Sequence, residues 1–193
     1  MDRGARLFWS ILCLLVAATA WFTVGVERQR AAHLARSESE LATGALVDLG
    51  QVVDGDTVTV RAPGRPPVVV RLVGVKALSR AGARDAASRV AIEAESALAS
   101  RLREGPVRVV LGDPRQDARG RVLAQLFRED ADVGLELVGR GLALVYLPYP
   151  FAEMGAYLEQ QARARAEHRG LWAEPLLAAR ADALIEGWQG GRE

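Results

Sequence analysis

Lysine is almost missing from this chain: of 25 basic residues, only Lys76 is not an arginine. Cysteine occurs once, at Cys13, so no disulfide can form within the chain and cysteine says nothing about the redox compartment. The two histidines, His33 and His168, stand far apart in polar surroundings. No cysteine–histidine spacing fits zinc and neither histidine falls in a nucleophile motif, so both are expected at the surface. An excess of one charge is lacking too, since 25 basic and 24 acidic residues give a formal net charge of +1. The first thirty residues hold Arg3, Arg6, Arg28 and Arg30 against Asp2 and Glu27, which leaves the remainder near −1. Such a domain has little long-range attraction for polyanions, and any nucleic-acid binding must come from a local patch.

What is present is a chain of one-domain size with a short appendage. Half of its 193 residues are hydrophobic and a quarter charged, the balance of a protein with a real core. Arg3 and Arg6 precede LFWSILCLLVAATAWFTVGV, twenty residues without a charge, and ERQR follows. Twenty apolar residues at helical rise match a ~30 Å hydrocarbon core. Residues 1–26 are therefore expected to form a transmembrane anchor, with the domain on the extracytoplasmic side. The alternative is a cleaved signal ending near Ala18-Thr19-Ala20, which would leave the protein secreted. Apolar sequence continuing through Trp21, Phe22 and Val26 favours the anchor. Arginines on both flanks give the charge rule little purchase on orientation.

Residues 27–43, ERQRAAHLARSESELAT, are polar and helix-prone and read as a linker. From Gly44 onward, β-branched runs alternate with turn signals at Asp54-Gly55, Pro63-Gly64 and Pro66-Pro67, which predicts three short strands. A helix follows, with Ala94, Ala97, Leu98 and Leu102 at helical spacing, and it stops at Glu104-Gly105-Pro106. VRVVLG and RVLAQLF are predicted strands separated by a polar loop, DPRQDARG. VGLELVGRGLALVY is helical up to Gly141 and extended beyond it. A further helix over 152–168 places Met154, Tyr157, Leu158 and Ala162 on one face. The expected architecture is α+β, a five-stranded antiparallel barrel of the OB type with about three helices, behind the N-terminal transmembrane helix. The domain is placed at 44–173, and the tail at 174–193 adds a short amphipathic helix.

Five stretches, VVDGDTVTV, VRLVGV, DARGRVLAQLF, LVGRGLALVY and RARAEHRGLW, stand in an order and spacing that resembles the thermonuclease-like family, the staphylococcal nuclease homologues. The resemblance spans about residues 46–172. It implies a calcium-dependent phosphodiesterase site, in which carboxylates hold the cation, two arginines grip the phosphate and a glutamate activates water. Hard cations take carboxylate oxygens, and fixed guanidinium charges stabilise a phosphoryl transition state. On this resemblance Arg71 and Arg121 form the phosphate clamp, Asp56 is a metal ligand and Asp54 an accessory carboxylate. Tyr146 and Tyr149 flank a ligand base, and Trp172 is a packing residue. Local alternatives remain: Arg71 as an outward charge, the two aspartates as turn formers, the tyrosines as barrel-edge packing.

The resemblance breaks at one point. Where active members of the family end the first arginine's strand in a short acidic motif, roughly Asp-x-Pro-Glu, this chain has Lys76, Ala77, Leu78 and Ser79. A cation replaces a calcium ligand, and a hydroxyl that needs a base of its own replaces the base. Asp85 and Glu93 are the nearby substitutes, on a loop and helix that the family uses otherwise. The expectation is a degenerate nuclease that binds a phosphate-bearing or acidic ligand without calcium-dependent cleavage, Lys76 pairing with Asp56 where the metal would lie. No cofactor is expected, calcium entering only if the domain is an active nuclease. That active phosphodiester-hydrolysing enzyme is one alternative, and a scaffolding envelope domain is the other. Expected partners are the membrane, through the N-terminal helix, and nucleic acid or another phosphate-bearing ligand.

Overall fold

The computed structural model describes residues 41–80 and 85–190. The expected anchor and residues 27–40 of the linker lie outside the described residues. Among those described, no helix is long and apolar enough to cross a membrane. The elements follow in the order β1 (Leu46–Asp54), β2 (Thr57–Arg61), β3 (Val68–Leu72), β4 (Val75–Ala77), α1 (Ala86–Arg103), β5 (Val107–Gln116), β6 (Val122–Arg128), β7 (Ala131–Asp132), α2 (Val133–Gly139), β8 (Ala143–Val145), α3 (Met154–Ala166), a 3-10 turn (Gly170–Ala173) and α4 (Pro175–Gly190). The fold is α+β, with four α-helices among the described residues where about three were expected.

One sheet runs β3-β2-β1-β5-β6-β7, and β3 pairs with β6 as well, which joins five strands into a ring. The joining pair is parallel, Val70 opposite Val122 and Leu72 opposite Ala124, whereas the sequence led to an all-antiparallel set. The reason is topological: an odd number of strands cannot alternate direction all the way round a ring, so one pair must run parallel. Inside the ring lie Val58, Val60, Val68, Val70, Val107, Val109 and Leu126, all buried. These branched side chains suit a pleated, buried surface.

α1 covers the ring with Ala87, Ala91, Ala94, Leu98 and Leu102, a stripe at helical spacing. Asp85 starts the helix, its carboxylate accepting from the Ser88 N–H at 2.8 Å. Three local readings change. β5 runs on through Asp113, Pro114 and Arg115, expected as loop, because its backbone stays near β6 past a register shift between Leu111 and Gln116 while its side chains there face solvent. α3 buries Tyr157 and Ala164 but leaves Leu158 42% exposed. Its seat is partly polar, Gln161 Oε1 accepting from the Val145 N–H at 2.8 Å, so an apolar stripe misplaced its face. β4 pairs with β8 in a separate two-stranded sheet that sets Lys76 opposite Leu144. At the boundary, Leu41 is buried and Thr43 Oγ1 accepts from the Leu111 N–H, so packed structure begins slightly before Gly44.

The turn between β1 and β2 is pressed against both β4 and α1. A Cβ placed on Gly55 would sit 2.7 Å from the Ala77 Cβ and 2.7 Å from the Ala94 Cβ. Neither neighbour has a flexible end that can swing aside. Gly55→Ala should therefore cost ~1–3 kcal/mol by overpacking. Urea unfolding read by circular dichroism checks this, and a midpoint equal to wild type would show that the three elements are not in close contact.

Candidate functional site

The site grows from that turn. Asp54 Oδ1 accepts from the Asp56 N–H at 2.9 Å, the local bond by which aspartate reverses a chain. Asp56 is thereby aimed inward and is only 2% exposed. Its Oδ1 accepts from Arg71 Nη1 and from the Thr57 hydroxyl at 3.0 Å. Its Oδ2 accepts from the Ala77 N–H at 2.8 Å. Lys76 Nζ stands 3.9 Å from the same oxygen. One carboxylate thus ties the β1–β2 turn to β3 and to β4.

Arg71 points into the molecule and is 4% exposed, which removes the outward-charge alternative. β3 aligns it opposite Thr57 of β2. Its Nη2 donates to the Val75 carbonyl at 2.8 Å, and the guanidinium lies over the Tyr146 ring, 5.6 Å from the centroid. Burial and then the Arg121 charge push its pKa below the usual arginine range, while Asp54 pulls the other way. Arg121 is drawn back on its own loop: Nε donates to Asp117 Oδ2 at 2.7 Å, and its backbone N–H donates to Asp117 Oδ1 at 3.0 Å. Burial raises the Asp117 pKa, but the Arg121 bonds outweigh it and the net shift is downward. Arg121 Nη1 also donates to the Thr57 hydroxyl at 3.3 Å, so Thr57 bridges the two arginine arms.

Lys76 is 38% exposed at its side chain and opens on a cavity of about 390 Å³ lined also by Asp54, Asp56, Ser79, Arg80 and Glu95. Of the substitute carboxylates, Asp85 is spent capping α1 and Glu93 pairs with Arg140 at 3.5 Å. Glu95, which sequence reasoning passed over, lines the cavity but accepts from Arg80 Nε at 2.9 Å. Among the described residues there is no group of three or more His, Cys, Asp or Glu that would hold a metal ion. Calcium wants six to eight oxygens. Here both Asp56 oxygens already face protein donors and an ammonium stands beside one of them, so the donor set does not fit that ion. Four cations, Arg71, Lys76, Arg119 and Arg121, gather with three carboxylates, Asp54, Asp56 and Asp117. The excess is positive and suits an anion.

Tyr146 and Tyr149 come together with ring centroids 5.7 Å apart and planes at 52°. Trp172 is buried, as expected of a packing residue. Two participants escaped the sequence reading. Asp117 was visible as an acid four residues before Arg121 in a tight Gly-containing loop. Trp188, 5.0 Å from Tyr146, is the last member of a helical stripe in the tail.

The family model for staphylococcal nuclease homologues matches residues 69–174. The chain is 31% identical over 159 residues to "Endonuclease YhcR" of Bacillus subtilis (strain 168), covering 77% of this chain and 13% of that protein. It is 29% identical over 124 residues to an "Uncharacterized endonuclease" of Haemophilus influenzae, 64% of each chain. The matched region is thus a small part of the first relative and under two thirds of the second.

The two cations beside Asp56 should behave differently. Arg71→Met leaves a buried carboxylate without its direct partner and should cost ~3–5 kcal/mol. Lys76→Met removes a half-exposed charge at the outer limit of pairing and should change stability by less than ~1 kcal/mol. Burial, then the Arg71 charge, lower the Lys76 pKa from its usual 10.5. The unfolded chain therefore binds this proton more tightly, and wild type should gain on Lys76→Met as pH rises from the lowered value towards 10.5. Urea midpoints at neutral and alkaline pH check both statements; a Lys76 loss as large as the Arg71 loss would make the lysine the main partner of Asp56.

Proposed function

The chain belongs to the staphylococcal nuclease homologue family, and from that premise we propose that it is a degenerate nuclease, a domain that grips a phosphate-bearing ligand, nucleic acid first among them, without calcium-dependent cleavage. In this proposal the apolar N-terminal segment anchors the domain, which lies on the extracytoplasmic side. The ring closed by the β3–β6 pairing supports the OB-type barrel that the resemblance implies.

One observation carries the proposal: Asp56, the metal ligand of the resemblance, is fully engaged by Arg71, Thr57 and Ala77, with the Lys76 ammonium at 3.9 Å. The charge that a cation would supply from solution is supplied by the chain. The arginines are held rather than free, Arg71 by Asp56 and the Val75 carbonyl, Arg121 by Asp117 and Thr57. A guanidinium carries five N–H donors, so Arg121, part-exposed, keeps donors for a phosphate oxygen while its plane is fixed, and the buried Arg71 holds the Asp56 side of the site behind it. Cleavage lacks the base of the resemblance: Ser79 stands where it is expected, and Glu95 is bonded to Arg80. The names of the two relatives favour the active alternative instead, and a direct assay decides between them.

The full chain, purified in detergent, should not hydrolyse single-stranded DNA at any calcium concentration, whereas the Lys76→Asp/Ser79→Glu double variant should do so as calcium is titrated in. Calcium-tracking hydrolysis by wild type would overturn the proposal in favour of an active enzyme. Binding is a separate matter. In the presence of a chelator, Arg121→Gln should weaken the affinity for a single-stranded oligonucleotide by about tenfold, the value of one charge-assisted bond. Equal affinity in wild type and variant, or none in either, would leave a scaffold in place of a phosphate grip.

A further inference from the structure

The family match stops at residue 174, and α4 begins at Pro175. This helix lies beyond the family's domain but not beyond its site. Leu177 and Ala181 are buried, and Leu184, Ile185 and Trp188 pack against the same core, a stripe at i, i+4, i+7, i+8 and i+11. On its other side Asp182 accepts two bonds from Arg165, at 2.7 and 2.8 Å. The stripe ends with Trp188 against Tyr146, ring centroids 5.0 Å apart and planes at 80°. Tyr146 in turn covers the Arg71 guanidinium and neighbours Tyr149. All three rings are half-buried, with part of each open to solvent.

Two rings at 80° cannot sandwich one flat ligand ring between them. In an edge-to-face pair the two rings cannot share one base, so a base stacked on Trp188 is a different one from a base at Tyr146. Nor does docking of α4 call for an indole, since aliphatic side chains fill the rest of the stripe. We infer that α4 places Trp188 as a second base-stacking platform beside the site, so that neighbouring nucleotides of a bound strand use two separate rings. The inference rests on the phosphate-binding reading above and deepens it. It also answers a charge problem. A domain carrying about −1 has little general attraction for a polyanion. Stacking on aromatic faces is the uncharged route to strand affinity, it tolerates any base, and it needs bases that are not already paired.

The test compares wild type with Trp188→Ala, Trp188→Leu and Trp188→Phe in the full chain, with a chelator present. Two probes are used: a fluorescent oligothymidylate of about ten nucleotides, read by anisotropy, and thymidine monophosphate as competitor. Leucine preserves the aliphatic seat of α4 and removes only the flat ring, so loss in that variant is not loss of folding. The expected result is strand affinity weakened by about tenfold in the alanine and leucine variants, near wild type in the phenylalanine variant, and mononucleotide affinity unchanged in all. Wild-type strand affinity in Trp188→Leu overturns the inference and leaves the phosphate-binding reading standing. Tighter binding in that variant overturns it too, by making Trp188 a cover over the site. Equal weakening of strand and mononucleotide also sinks it, because both then use one subsite. Wild type that binds neither probe removes the underlying reading, and the inference with it.

Discussion

The ion pair between Arg71 and Asp56 constrains everything around it. Both groups are removed from water, and two charges so placed are tolerated only when their remaining bonding capacity is satisfied. That demand recruits the Thr57 hydroxyl, the Ala77 N–H and the Val75 carbonyl. The β1–β2 turn, β3 and β4 are thereby held in one arrangement. Gly55 is the steric counterpart of the same constraint, because the turn reaches Arg71 only by lying against Ala77 and Ala94. A buried pair of this kind contributes little net stability, but losing one half is expensive. Its effect is to specify geometry.

The same pair accounts for the solitary lysine. An acidic pocket that holds a divalent cation must be balanced by that cation. With Lys76 beside Asp56, and Arg119 and Arg121 close by, the balance comes from side chains and tips towards the positive. Lysine suits the position because its ammonium is compact and its stem lets it reach the cavity while remaining partly solvated. The cost falls on the lysine, whose charged form is disfavoured by burial and by Arg71.

Much of this was legible in the chain. Asp54-Gly55 announced a turn, and the β-branched run after it announced a strand; both are found. Arg71, Arg121, Asp56 and both tyrosines meet at one place. The face of α3 was misplaced because its seat includes a glutamine hydrogen bond, which apolar periodicity does not register. β4 and β8 are each three residues long, too short for a two-residue period to stand out. Glu93 was named and Glu95 passed over, since two residues along a helix differ in sequence trivially and in direction by more than half a turn.

By itself the sequence determined the α+β class, the turn at Asp54-Gly55 and the identity of Lys76 and Ser79, because turn chemistry, side-chain branching and residue identity are local properties. Only the tertiary structure decided that Arg71 faces inward, that both Asp56 oxygens are already engaged, that one strand pair runs parallel and that Trp188 reaches Tyr146. Each of these depends on residues far apart in the chain being brought within a few ångströms, and on a ring of five strands having to close.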